Sequence, residues 1–536
     1  MTSAVSLARR LIFLVLLIQA FHISLSMSYA AGDEGTAGFE IKGFELAGNT
    51  IFPAKKLQEA VTPFTGSGKT ATDVEKARDA LEKLYHEAGY PAVLVNIPEQ
   101  TVEGGIIKLQ IIESRIGRVK ISGNRYFTTE KIIQDLPSFR PGEMVYLPKV
   151  QQEIARVNNN QDLKVAPVMA PGKEPGTVDV ELKVQDRLPL HGYLELNNRA
   201  SHDTEELRVN AMLRYENLWQ REHSISLQYQ MSPQNTDEVQ AVSGSYVLPA
   251  PWEKDHLLAL YGIWSDSETA FGEEFRVIGK GKIFGTRYVI PLPPYKRYAH
   301  NITLGLDYKD FKETLGFTTE SGLATRTPIT YMPLSFSYSA SLRDAWEGLT
   351  QFSGGLNLSF RGLVSDQREF EMKRYKGRAN YLYFTAGIHR TQKLPLEMGL
   401  FIKVDGQVAD QPLIANEQYA AGGMESVRGY KESEALGDHA IHGTIEFSFP
   451  DPLRRSGIAK WFQISPYLFY DTAILTVKEP LPGQDRNVTL QGAGAGLRGS
   501  LTKYLEYEFD WAVALNKTDR IEKNDSRIYF RLKAQF

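Results

Sequence analysis

Leu334-Ser335-Phe336-Ser337-Tyr338-Ser339-Ala340 places Leu, Phe, Tyr and Ala on one side of an extended chain and serines on the other. The same two-residue period returns at Leu207 to Tyr215, Ile225 to Met231, Ile302 to Tyr308, Phe352 to Phe360, Met398 to Val408 and Leu505 to Val513. From Leu188 onward this period dominates, and no second sheet or helical layer is at hand to cover the apolar face. A closed membrane barrel, apolar outside and polar inside, satisfies both faces. A soluble β-sandwich would be shorter and would hide its aromatics. About 350 residues, at ~22 per strand with its share of loop, give about 16 strands. A ring of that size encloses a lumen too wide for side chains to fill, so something must plug it or pass through it.

Composition agrees with a large apolar surface: of 536 residues, 42% are hydrophobic and 11% aromatic. A net charge of -3 gives no balance suited to polyanions, so nucleic acid is not an expected partner. With no cysteine, disulfides and thiolate metal sites are excluded. Arg9 and Arg10 precede the apolar run Leu11 to Ile18, and Ser28-Tyr29-Ala30 offers small residues to a signal peptidase. Residues 1–31 therefore read as a secretory signal peptide, cleaved after Ala30 or Ala31. No later stretch reaches the ~18 apolar residues a spanning helix needs.

Two small modules are expected before the barrel, at 32–114 and 115–187, with the barrel at 188–536. Phe39 to Ser114 reads as strand, helix, helix, strand, strand. Val74, Ala77, Leu81, Leu84 and Tyr85 share one helix face that only a sheet can cover. The order repeats after about 75 residues, which marks a duplicated domain. Val119-Lys120-Ile121-Ser122-Gly123-Asn124 parallels Phe44-Glu45-Leu46-Ala47-Gly48-Asn49. Gly66-Ser67-Gly68-Lys69-Thr70 is not a phosphate loop, because the glycine required five residues earlier is Pro63 and the stretch joins two helices.

Between the strand patterns Met398 to Val408 and Ile445 to Phe449 lies a connection of more than thirty residues. It carries Gly422-Gly423-Met424-Glu425-Ser426-Val427-Arg428-Gly429-Tyr430, whose glycines permit sharp turns that would carry Arg428 into a cavity. Alternation along Leu468-Phe469-Tyr470-Asp471 turns Phe469 and Asp471 toward the lumen if Leu468 and Tyr470 face lipid.

Val427-Arg428-Gly429-Tyr430 followed by Phe469-x-Asp471 resembles the outer-membrane transporters of two-partner secretion, the haemolysin secretion/activation family of ShlB, FhaC and HecB, related to the β-barrel assembly proteins. The resemblance implies a 16-stranded transmembrane β-barrel preceded by two α+β polypeptide-transport-associated (POTRA) domains in the periplasm. It implies that Arg428 and Asp471 pair inside the barrel and hold the loop against the wall. Where the family pattern usually ends in Gly this chain has Ala473, which bears on strand curvature. The alternating end Ile528 to Phe536 resembles the C-terminal strand signal read by the barrel-assembly machinery, with Phe536 as its last residue. Arg531 and Lys533 would face inward with Glu506, Glu508 and Asp510 and pair across strands. Many family members carry a pore-plugging N-terminal helix; here only Ala31 to Gly38 stand before the first module, too few for one.

The expected partners are an unfolded exported protein, taken by strand addition at open sheet edges, and outer-membrane lipid, with the chain a monomer. No Gly-x-Ser-x-Gly elbow and no zinc pattern occur; His439 and His442 fall on opposite faces of a strand. No catalytic, cofactor or metal residue is assigned. A barrel-assembly or insertion factor is the alternative of the same architecture, and a passive porin the alternative of another class.

Overall fold

The computed structural model describes residues 38–536 except 103, 203, 237–238, 267–279, 316–324 and 455; the expected signal segment lies outside them. The chain divides into two compact units, at Arg187 and Leu188. In the second unit each strand pairs antiparallel with the next, and the last, Ser526–Gln535, returns to the first, Leu190–Asn197. The result is a closed barrel of 16 strands. Thr325–Tyr331 and Leu334–Arg343 both pair with Tyr298–Leu315, so they form one strand interrupted at Met332 and Pro333. Proline has no N–H to give the ladder, and the interruption falls on it.

Exposed apolar side chains ring the outside, among them Leu194, Leu213, Leu227, Phe284, Phe336 and Leu468. At the end where the chain enters and leaves the barrel, turn after turn presents an exposed aromatic: Trp219, Trp252, Tyr295, Trp346, Trp461 and Tyr504. Such a girdle matches the boundary between hydrocarbon and water. No described helix is long and apolar enough to cross a membrane; the strands do the crossing.

The first unit holds two three-stranded sheets, each with its own apolar core, and a small two-stranded one. In the first module Gly43–Ala47, Ile106–Glu113 and Val93–Asn96 lie side by side in that order. Helix Ala71–Glu87 buries Val74, Ala77, Leu81 and Tyr85. In the second, Arg115–Ser122, Thr177–Asp186 and Leu163–Pro171 repeat the arrangement. The duplication extends to hydrogen bonds. Asn49 and Asn124 each donate through Nδ2 to a carbonyl three residues on, of Phe52 at 2.7 Å and Phe127 at 2.9 Å. Glu113 accepts from the N–H of Thr50 at 2.7 Å, and Asp186 from that of Tyr126 at 2.6 Å. Gly48 and Gly123 have φ of 87° and 91°, and a Cβ on either would meet a strand carbonyl at 2.2 or 2.3 Å.

Two sequence expectations need correction here. The single strand expected to open the module at Phe39 is two: Phe39–Ile41 pairs with Gly66–Lys69, while Gly43–Ala47 pairs with Ile106–Glu113. The Gly-rich stretch therefore does not simply join two helices; it forms a short strand between them. Glycine's weak strand propensity hid it.

Candidate functional site: a loop fastened inside the barrel

The long connection spans residues 410–438, between Gly399–Ala409 and His439–Ser448. It is shorter than the sequence suggested, because the following strand starts at His439. Tyr419–Ala421 and Ala435–Gly437 pair antiparallel at its base. Gly422 and Gly423, at φ of 106° and 101°, reverse the chain beyond that ladder. Gly429 brings the tip against the wall: a Cβ there would lie 2.9 Å from the backbone nitrogen of Ala514.

Arg428 is 4% exposed and forms a fork with Asp471, which is fully buried. Its Nε donates to Asp471 Oδ2 at 2.7 Å and its Nη2 to Oδ1 at 2.9 Å, while its backbone N–H donates to Oδ2 at 3.1 Å. Nη1 donates to Glu446 Oε1 at 2.8 Å and to Asp510 Oδ2 at 3.3 Å. The guanidinium lies 3.5 Å from the centroid of the Phe469 ring. Paired, forked and stacked, it meets the conditions under which a buried arginine is held firmly.

The neighbouring residues complete the seat. The Gly429 N–H donates to the Tyr529 hydroxyl at 2.8 Å, and that hydroxyl donates to the Tyr430 carbonyl at 2.6 Å. Val427 and Tyr430 are fully buried with Ala473, Leu475, Leu490 and Ala514. His442 faces Ser426, with Nε2 3.2 Å from its carbonyl oxygen. Strand pairing runs unbroken through Ala473, opposite His442 on one side and Leu490 on the other, so alanine in place of the usual glycine introduces no irregularity.

Leu468 and Tyr470 are exposed, Phe469 and Asp471 buried, as alternation requires. Reading the sequence missed Glu446, Tyr529 and the glycines of Asn487–Leu501. A Cβ on Gly492 would lie 1.8 Å from the Arg428 carbonyl oxygen, one on Gly494 2.6 Å from Phe469 Cζ, and one on Gly496 2.4 Å from Tyr467 Cζ. Gly492-Ala493-Gly494-Ala495-Gly496 is thus a bare track on the lumen side of the wall, and glycine at every second position was its visible signal. The expected cross-strand pairing is made by Arg531 with Glu508, at 2.6 Å, whereas Asp510, expected to join it, turns to Arg428. Phe536, the expected insertion signal, is exposed and exchanges backbone hydrogen bonds of 3.1 and 3.4 Å with Gly192.

The family model for haemolysin secretion/activation protein ShlB/FhaC/HecB matches residues 176–499, more than half of the chain. The chain belongs to this family. A ShlB-type POTRA domain matches residues 39–114. Among curated relatives, the heme/hemopexin transporter protein HuxB of Haemophilus influenzae is 18% identical over 96% of this chain and 90% of its own length. The outer membrane transporter CdiB of Dickeya dadantii is 22% identical over 68% of this chain and 64% of its own. Among solved structures, CdiB from Escherichia coli superposes with a TM-score of 0.62 at 16% identity, covering 96% of this chain and 93% of that one. BamA from Haemophilus ducreyi lacking POTRA domains 1-3 gives 0.55 at 15% identity, covering 93% and 100%. These likenesses agree on the barrel fold. As a member of the ShlB/FhaC/HecB family the protein is an outer-membrane two-partner secretion transporter, with its POTRA region in the periplasm, that moves a partner protein to the cell surface.

Proposed function

We propose that the POTRA modules take up an extended segment of the unfolded partner by strand addition, and that the partner leaves through the lumen while the Arg428 loop is released from Asp471. The observation that carries this reading is the fork of Arg428 on Asp471, made by a loop residue on a wall residue. A charge pair so placed has a defined docked state, and a passing chain that competes for either partner can undo it. Family membership brings no nucleotide step, so directionality comes from the partner folding outside and not returning.

Sheet-edge chemistry supports a particular entry point. In the first module Gln58 Nε2 donates to the Phe44 carbonyl at 2.9 Å, Glu82 accepts from the Val95 N–H at 2.8 Å, and His86 lies 3.0 Å from the Val93 carbonyl. These side chains occupy edge groups a client would need. In the second module Asn158 occupies both backbone groups of Val165 in the same way, but only there. Of the outward positions beyond it, Pro167 and Pro171 offer only carbonyls, and Met169, exposed like its neighbour Val168, carries no such cap among the described residues. Strand addition is assigned to this stretch.

The remaining parts of the reading are a signal peptide at 1–31, modules at 32–114 and 115–187, insertion as a monomer by the barrel-assembly machinery, and Phe536 as its recognition residue. Arg428→Ala and Asp471→Ala should each give an inserted barrel that exports its partner poorly. Unchanged export by both would remove the proposed role of the pair.

A further inference from the structure

The same loop carries further buried ionic contacts: Glu432 with Arg199, Asp438 with Arg374 and, at its base, Glu417 with Lys309. Glu417, in the turn Ala415–Glu417, is 5% exposed. Its Oε1 accepts from Lys309 Nζ and from the Tyr331 hydroxyl, each at 2.6 Å, and its Oε2 from the Tyr383 hydroxyl at 2.8 Å. Its carbonyl accepts from Gln407 Nε2 at 3.1 Å. Around it Phe311, Phe370, Tyr381, Leu413 and Ile414 exclude water. Lys309 stands on Tyr298–Leu315, the seventh strand in the ring of 16, and Asp471, which takes the Arg428 fork, on Phe462–Thr476, the thirteenth, so the two seats lie on different stretches of the wall.

We propose that Glu417 anchors the base of the loop and is the hinge on which its tip turns. Glu417 and Arg428 thus fasten the loop to two separate stretches of the wall. When Arg428 leaves Asp471, the chain from Gly422 to Tyr430 swings out, while Glu417 keeps the base on the seventh, eighth and tenth strands. Desolvation makes the seat firm: removing the carboxylate strands the Lys309 ammonium in an apolar surround. Unlike Arg428, Glu417 is ringed by phenols as well as a cation, so part of its hold survives a competing charge. The tip is therefore the end that yields to a passing polypeptide. Glu417 acts here as a positioning residue.

The inference rests on the loop-release reading of Arg428, and one experiment separates the two. The chain has no cysteine, so single substitutions Ala420→Cys, within the base ladder, and Ser426→Cys, at the tip, report exposure by their rates of maleimide labelling in the full-length protein in outer-membrane vesicles. Both positions are buried. Glu417→Gln should raise the rate at Ala420→Cys about tenfold or more, the scale of one lost charge-assisted bond, and leave Ser426→Cys slow. Arg428→Ala should do the reverse. Tyr383→Phe, which keeps the ring and removes one hydrogen bond, should act as a weaker Glu417→Gln and gives the same readout if the latter fails to assemble. If Ala420→Cys stays slow in both Glu417→Gln and Tyr383→Phe while Arg428→Ala exposes Ser426→Cys, the anchor is overturned and loop release stands. If Arg428→Ala leaves Ser426→Cys slow, loop release itself is overturned, and the hinge with it.

Discussion

The carbonyl of Arg428 occupies the space a side chain would fill on Gly492: a Cβ there would come within 1.8 Å of that oxygen. The loop docks because the wall beneath it has been stripped to backbone. Gly492→Ala should therefore undock the tip without altering any charge, and Ser426→Cys in that background should label at least about tenfold faster. Gly244→Ala, whose Cβ would meet nothing nearer than 3.7 Å, is the control and should leave the rate unchanged.

Arg428→Lys keeps the charge and loses both the fork and the flat contact with Phe469. The point charge of a lysine cannot satisfy two oxygens of Asp471 and one of Glu446 in the same plane. Export should fall toward the level of Arg428→Ala, as measured by the partner recovered outside the cell. Rescue by lysine to wild-type export would mean that charge alone holds the loop.

Removing the cation should cost more stability than removing one of its acids. Arg428→Ala leaves Asp471 and Asp510 buried without their counter-charge, a loss of about 3–5 kcal/mol if the loop stayed in place. Asp510→Asn keeps a polar group beside Tyr467 and Arg428 and should cost less. Heat-modifiable migration of the folded barrel on gels ranks the two, with Arg428→Ala unfolding at the lower temperature.

Met169 lies at an outward-facing position of the open edge, four residues beyond the Val165 groups held by Asn158. Met169→Pro deletes its outward N–H and leaves the inward ladder intact. Partner export should fall while the barrel still inserts; full export would move client binding away from this edge.

In the first module the Asp73 carboxylate accepts from the Thr70 N–H at 2.9 Å, and that bond holds its pKa below the ordinary carboxylate value. A depressed carboxylate stabilises the fold above its unfolded pKa and loses that contribution as pH falls through its folded pKa. The difference in urea midpoint between wild type and Asp73→Asn should thus be present at neutral pH and close in the acid range.

The barrel was legible because lipid forces alternation on every strand, and Leu334 to Ala340 shows it without help from neighbours. The pairing of Arg428 with Asp471 was legible by parity along Leu468 to Asp471 together with the family resemblance. Glu446 and Asp510 were not, because meeting Arg428 depends on the register of four wall strands, which local pattern does not determine. Asp510 has Tyr529, not a cation, opposite it on the last strand. Glu417 gave no sign at all: its partners Lys309, Tyr331 and Tyr383 come from strands far apart in sequence, and nothing near it in the chain marks it as buried.

Labelling of Ser426→Cys in living cells, with and without the partner in transit, tests the central claim most directly. Protection in the absence of the partner, and labelling at least about tenfold faster during export, is the predicted result. Sustained export past a tip that stays protected would contradict it.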